Sequence, residues 1–209
     1  MEYIANPQEI EKKSFEIITE ILGDKELESQ NLNVIKRVIH TTADFDYADN
    51  LVFSENVVGI AIEALRKGAS IVTDTQMVRS GINKKGIDEI GSSVECFIGC
   101  EEVAQTAKSK GVTRAGVAVE YAVENISKPI IFAVGNAPTA LIKLHEMIEK
   151  GLCKPELIIA VPVGFVNVVE SKELIMELDV PYIVAKGRKG GSNVAAAICN
   201  ALIYDIVER

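Results

Sequence analysis

Tryptophan is absent from the 209 residues, and aromatic side chains make up only 5% of them. A protein that stacks single-stranded bases needs more aromatic platforms than that. Positive charge is also in short supply: 22 lysines and arginines stand against 30 aspartates and glutamates, a net charge of -8. That balance argues against nucleic acid or an anionic membrane surface as the main partner. It leaves room for a small anionic ligand held by a few local cations. No apolar run approaches the roughly 20 residues needed to cross a bilayer. The start, M-E-Y-I-A-N-P-Q-E-I-E, lacks the basic-then-apolar order of a signal peptide, so a cytoplasmic location is expected. Four cysteines (Cys96, Cys100, Cys153, Cys199) are too few and too scattered for a disulfide scaffold. Cys96 and Cys100 have three residues between them, not two, and no histidine nearby. No metal site is expected there. The chain also lacks G-x-G-x-x-G, G-x-x-x-x-G-K-[ST] and the G-x-S-x-G elbow of hydrolases.

What is present reads as one ordinary globular domain, residues 1–209, with 48% hydrophobic and 25% charged side chains. Residues 7–22 carry an amphipathic helical pattern, with Ile10, Phe15, Ile18 and Leu22 along one side. A second helix covers 31–40, and Ser54 with Asn56 is placed to cap a third that runs to Lys67. Five short apolar runs then follow: A-S-I-V-T, V-E-C-F-I, I-I-F-A-V, L-I-I-A-V and P-Y-I-V-A. Helical patterns near 100–110, 114–126, 137–150, 170–178 and 192–207 lie between and after them. Continuous apolar strands alternating with helices predict an α/β fold. The expected core is a doubly wound, mostly parallel five-stranded sheet flanked by helices, with the N-terminal helices packed on it.

In such sheets the ligand lies beyond the carboxyl ends of the strands. After I-I-F-A-V comes G-N-A-P-T-A-L, where Gly135 turns the chain, Asn136 is a candidate cap and Pro138 suits the first helical turn. Free N–H groups at such a helix start bind carboxylate or phosphate. After P-Y-I-V-A comes K-G-R-K-G-G-S-N, which resembles an anion cradle with charge from Lys186, Arg188 and Lys189. Asp74 ends another run, and Gly164 follows a fourth.

Histidine is as scarce as any polar residue here, with only His40 and His145. His145 falls on the flank of an apolar helical stripe and is read as a partly buried helix residue. His40 differs. At 100° per residue, Leu32, Ile35 and Ile39 form one stripe and His40 lies off it, beside Asn33, Lys36 and Arg37. It sits at a helix end, where the dipole favours a cation, with Asp44 and Asp46 close behind. Both effects favour a protonated imidazole and make His40 a candidate acid catalyst.

Taken in order, Y-x-x-x-P-x-x-I-E-x-x-S-F, R-V-I-H-T-T-A-D-F-D, T-D-T-Q-M-V-x-x-G-I, G-N-A-P-T-A-L, P-V-G-F-V-x-x-x-E-S-K and G-R-K-G-G-S run from residue 3 to residue 192. This ordered set resembles the precorrin-8X and cobalt-precorrin-8 methylmutases of cobalamin biosynthesis. The resemblance implies an isomerase of similar fold that moves a methyl group from C-11 to C-12 of a corrin-type ring in an acid-assisted [1,5]-sigmatropic shift. It places the acid at His40 and a substrate-contacting serine at Ser14. Thr41, in the same motif as His40, is expected at the substrate, and Arg114 in V-T-R-A is the matching arginine. It further implies a homodimer with sites near the subunit interface, no cofactor, and cobalt only as part of the substrate. A polycarboxylate ring needs several local anion sites, which Asn136, Ser192, Arg37, Arg114 and Arg188 could supply. Two rivals stand beside this reading: a tetrapyrrole carrier without catalysis, and a nucleotide-dependent enzyme using the K-G-R-K-G-G-S loop.

Overall fold

A computed structural model describes residues 3–207, so the ends of the expected domain, residues 1–2 and 208–209, lie outside the described residues. Six strands form one sheet: β1 (Leu51–Phe53), β2 (Ser70–Thr73), β3 (Ser93–Glu95), β4 (Ile130–Val134), β5 (Leu157–Ala160) and β6 (Tyr182–Ala185). Their order is β1-β6-β5-β4-β2-β3. Each of the five apolar runs contributes a strand, V-E-C-F-I only through Val94 and Glu95, and these strands pair in parallel. The sixth strand, β1, corrects the expected count of five. It is antiparallel to β6, with Leu51 opposite Ala185. A three-residue strand in a polar stretch has no period of its own to read; β6 makes it a strand by offering an open edge.

The helices are α1 (Pro7–Leu22), α2 (Leu32–Thr42), α3 (Tyr47–Asn50), α4 (Val57–Arg66), α5 (Gln76–Gly81), α6 (Lys84–Glu89), α7 (Glu101–Lys110), α8 (Arg114–Asn125), α9 (Pro138–Glu149), α10 (Val168–Met176) and α11 (Ser192–Tyr204). Alternate strand residues face opposite sides. Ile71, Ile131, Ile159 and Ile183 join α1, α2, α4 and α11 in one core. Val72, Phe132, Ile158 and Val184 join α8, α9 and α10 in the other. Each fully buried branched or aromatic side chain contributes about 1.5–3 kcal/mol of apolar burial, so the two layers clamp the sheet from both faces. None of the helices among the described residues is long and apolar enough to cross a membrane.

Helix α4 begins later than the sequence suggests. Asn56, in a left-handed conformation at φ 51, is its N-cap through the backbone and not through its side chain. Ser54 is not a cap; its Oγ accepts from Tyr182 N at 2.9 Å and ties the end of β1 to β6. Helix α1 starts as its sequence demands, with Asn6 Oδ1 accepting from Gln8 N at 2.9 Å and Pro7 in the first turn. Of its sixteen residues only Ile18 is buried. What seats it on α2 is Arg37, whose guanidinium pairs with Glu11 at 2.5 Å and lies 4.5 Å over the Phe15 ring.

Candidate active site

Helix α2 runs antiparallel to α11: Asn33 near its start donates to Asp205 just beyond the end of α11, and Arg37 lies 5.2 Å over the Tyr204 ring. Its last turn therefore points toward the sheet edge at which α11 begins, the carboxyl ends of the parallel strands. Val34, Ile35, Val38 and Ile39 are buried on the core side, and His40, half-buried, stands off that face. The helix closes at Ala43, left-handed at φ 53, whose N–H returns to Ile39 O. The imidazole sits in the last turn, where carbonyl dipoles favour a cation.

Ser14 on α1 meets it. Ser14 Oγ and His40 Nδ1 are 2.8 Å apart, and Phe15 packs its ring 5.4 Å from the imidazole. A hydrogen bond and a ring contact from one helix fix the rotation of a histidine on another. Around the pair opens a cleft of about 480 Å³ lined by Ile10, Ile17, Ile21, Ile39, Ala43 and Phe45, among others. Ile10, Ile17 and Ile21 are each 44–59% exposed. With Ser14 they fall at i, i+4, i+7 and i+11, one face of α1. That spacing is legible in the sequence, but the pattern alone cannot say that the stripe lines a cleft instead of a core.

The other expected site residues are dispersed. Thr41 is exposed on the last turn of α2. Arg37 is engaged with Glu11, Phe15 and Tyr204 and acts as the clamp of α1. Arg114 opens onto a separate groove between α7 and α8, lined with Gln105, Lys108 and Val112, which shares no residue with the His40 cleft. Ser192 Oγ is 3.1 Å from Thr75 Oγ1 and joins the starts of α11 and α5. Arg188 is exposed, its guanidinium 5.9 Å over Phe165.

Three expectations are corrected. The turn into α9 is not an open anion site. Asp74, 6% exposed at the end of β2, accepts from Gly135 N at 3.0 Å and from Asn136 N and Ala137 N at 2.7 Å each. Burial raises its pKa while the three donors oppose the rise. Asn136 is not the cap either; Ala137 holds that position, and only the exposed Asn136 side chain is left for a ligand. The strands β2 and β4 flank the point where the chain reverses direction across the sheet, the usual nucleotide crevice. The Asp74 carboxylate already takes the N–H groups of the turn there, so those groups are not open to a phosphate.

Second, Asp44 and Asp46, expected close behind His40, both reach Lys189 at 2.6 Å. The paired ammonium lowers the pKa of Asp44, and the two carboxylates raise that of Lys189. Third, Lys189 is therefore committed and does not add charge to an anion cradle. Sequence reasoning also missed Lys172 on α10, only 1% exposed, whose Nζ donates to Gly187 O and Lys189 O at 2.8 Å. The E-S-K motif held it in plain view, but nothing in one dimension shows a lysine turning inward.

A doubly wound α/β sheet with an oriented histidine in an apolar cleft near the carboxyl edge is the architecture of a small-molecule enzyme. The family model for precorrin-8X methylmutase (CbiC) matches residues 9–205. The cobalt-precorrin-8 methylmutase of Salmonella typhimurium is 43% identical, with 100% of each chain covered. The precorrin-8X methylmutase of Pseudomonas aeruginosa is 36% identical, with 97% of each covered. A crystal structure of the Thermus thermophilus precorrin-8X methylmutase superposes with a TM-score of 0.86 at 39% identity, covering 93% of this chain and 95% of that one. The chain belongs to the precorrin-8X methylmutase family, whose members are isomerases.

Proposed function

We propose that this protein moves a methyl group from C-11 to C-12 of a contracted corrin-type macrocycle, converting precorrin-8X to hydrogenobyrinate or cobalt-precorrin-8 to cobyrinate. The observation that carries the reading is the Ser14–His40 pair inside the isoleucine-lined cleft. The face of a macrocycle is apolar and broad, which suits walls of Ile10, Ile17, Ile21 and Phe45. Its perimeter is carboxylate, which suits rim cations such as Arg188 and, from a second subunit, Arg114.

In this reading His40 is the general acid. A proton delivered to the conjugated ring lowers the energy of the rearranged electron distribution. The C-11–methyl bond breaks as the C-12–methyl bond forms, and the proton is given back. Atoms and charge are conserved from substrate to product. Cobalt, when present, arrives inside the macrocycle as substrate. Ser14 holds the imidazole at the angle the transfer needs, and Arg37 keeps α1, and so Ser14, against α2. The working unit is a homodimer whose second copy brings Arg114 toward the ring, since Arg114 lines a groove separate from the His40 cleft of its own chain.

The test mixes wild type and His40→Ala separately with each macrocycle, metal-free and cobalt-loaded, and follows the visible spectrum. Wild type converts the substrate. His40→Ala binds it with Kd within about threefold yet turns over about 10²–10⁴ more slowly, the usual contribution of a positioned acid. Equal turnover by both proteins removes His40 as the acid. Binding without turnover by either one makes the protein a carrier.

A further inference from the structure

Among the described residues Lys172 is the one lysine essentially closed off from solvent, at 1% exposed. Burying an ammonium is costly unless something compensates. Here its ammonium donates to the two backbone carbonyls of Gly187 and Lys189. Burial pulls its pKa down to about 8. A charge kept under those terms is a poor stabiliser of the fold. Its placement points elsewhere.

The loop it holds, Lys186–Gly191, is wound tightly around the ammonium. Gly187 lies at φ 74 and Gly190 at φ 155, and a Cβ on Gly190 would fall 2.2 Å from Val161 O. Gly191 N donates to the same Val161 O at 2.8 Å, and Gly164 N donates to Arg188 O at 3.2 Å. With both carbonyls turned inward onto Lys172, the side chains of this loop project outward. Lys189 reaches Asp44 and Asp46. Those two aspartates flank Phe45, and Phe45 and Ala43 form one wall of the His40 cleft. Arg188 projects over Phe165. One buried ammonium thus sets two things: the wall beside the imidazole, and the direction of an exposed cation.

We infer that Lys172 is a positioning residue for the methyl shift, a strut that holds the 186–191 loop so that Lys189 braces the Phe45 wall and Arg188 meets the carboxylate perimeter. The inference rests on the methylmutase reading above. Lys172 touches no reacting atom and acts through Lys189 and Arg188. Its loss should therefore weaken capture of the ring more than the chemistry at His40.

The experiment measures wild type, Lys172→Met and Lys172→Ala side by side, with cobalt-precorrin-8 as substrate and thermal unfolding alongside. Lys172→Met keeps the length of the side chain and removes the charge. The expected result is a KM about tenfold higher, kcat within about threefold, and a Tm equal to or above that of wild type, since a buried charge has gone. In Lys172→Ala, millimolar n-propylamine lowers KM back toward wild type while n-propanol does not, because only the ammonium can reach both carbonyls as a cation. Wild-type kinetics in Lys172→Met overturn the inference. So does a fall in kcat and Tm together with no amine rescue in Lys172→Ala, which would make the lysine structural only. A wild type that fails to turn over takes down the methylmutase reading and this inference with it; a working wild type beside an unimpaired Lys172→Met takes down the inference alone.

Discussion

At Lys172 the stability of the fold and the demands of the site pull in opposite directions. The folded-state pKa, about 8, lies below the ordinary value of 10.5. Between those values the unfolded chain still holds a proton that the folded chain has released. Folding stability from this group is therefore lowest below pH 8 and climbs with pH up to the unfolded value. The Tm of wild type relative to Lys172→Met should rise from pH 7.5 to pH 10, read by calorimetry in matched buffers. A flat difference would mean that Lys172 titrates normally. His40 makes the contrasting case. Its place off the apolar stripe of α2 was readable from Leu32, Ile35 and Ile39, because helical period is a local property. Its partner Ser14 lies 26 positions away, and the physics of one helix says nothing about where another helix docks. The same gap explains Asp44 and Asp46. Closeness in sequence suggested His40, while the electrostatics of the folded chain directs both to Lys189.

Among the elements, α9 depends most on a side chain outside itself. The turn that leads into it is held by Asp74, which accepts from Gly135, Asn136 and Ala137 N, and the helix has no side-chain cap of its own. Asp74→Ala leaves three backbone donors without their acceptor in a largely buried turn, which should cost about 1–3 kcal/mol. For a chain of this length that is a fall in Tm of roughly 2–12 °C. Amide exchange should quicken over Gly135–Leu141 and leave α2 unchanged; protection unaltered at α9 would show that water replaces the carboxylate. Element identity was otherwise largely legible. Helix α1 falls on the expected 7–22, and the other expected helices end within about three residues of their predicted bounds, the usual fraying error. Helices α5 and α6, six residues each, and α3, of four, were not read. Segments that short carry less than two turns of periodicity, and their caps, such as Thr75 Oγ1 accepting from Val78 N, are the only local sign.

For the whole molecule, the separation of Arg114 from the His40 cleft makes subunit exchange a direct test of assembly. His40→Ala and Arg114→Ala, each inactive or nearly so alone, are mixed after reversible dissociation. If Arg114 serves the neighbouring subunit, half of the randomly reassorted dimers carry one intact site each, and activity returns to about a quarter of wild type. No recovery would place Arg114 in its own subunit's site or outside the site altogether. The exposed Phe165 and Val166 are a surface a second copy could cover.

The sequence by itself determined the layers: five of the six strands, the long helices, the acidic and aromatic-poor surface, the family's ordered motifs, and an imidazole set apart from its helix's core face. These follow from composition and from periods of two and 3.6 residues, which act over a few neighbours. Only the tertiary structure decided that β1 closes an edge of the sheet, that Asp74 takes the N–H groups a phosphate would use, that Ser14 orients His40, and that Lys172 turns inward to hold the loop above them. Each of these is a pairing of polar groups brought together from distant segments, and its energy depends on the desolvation that the completed fold imposes.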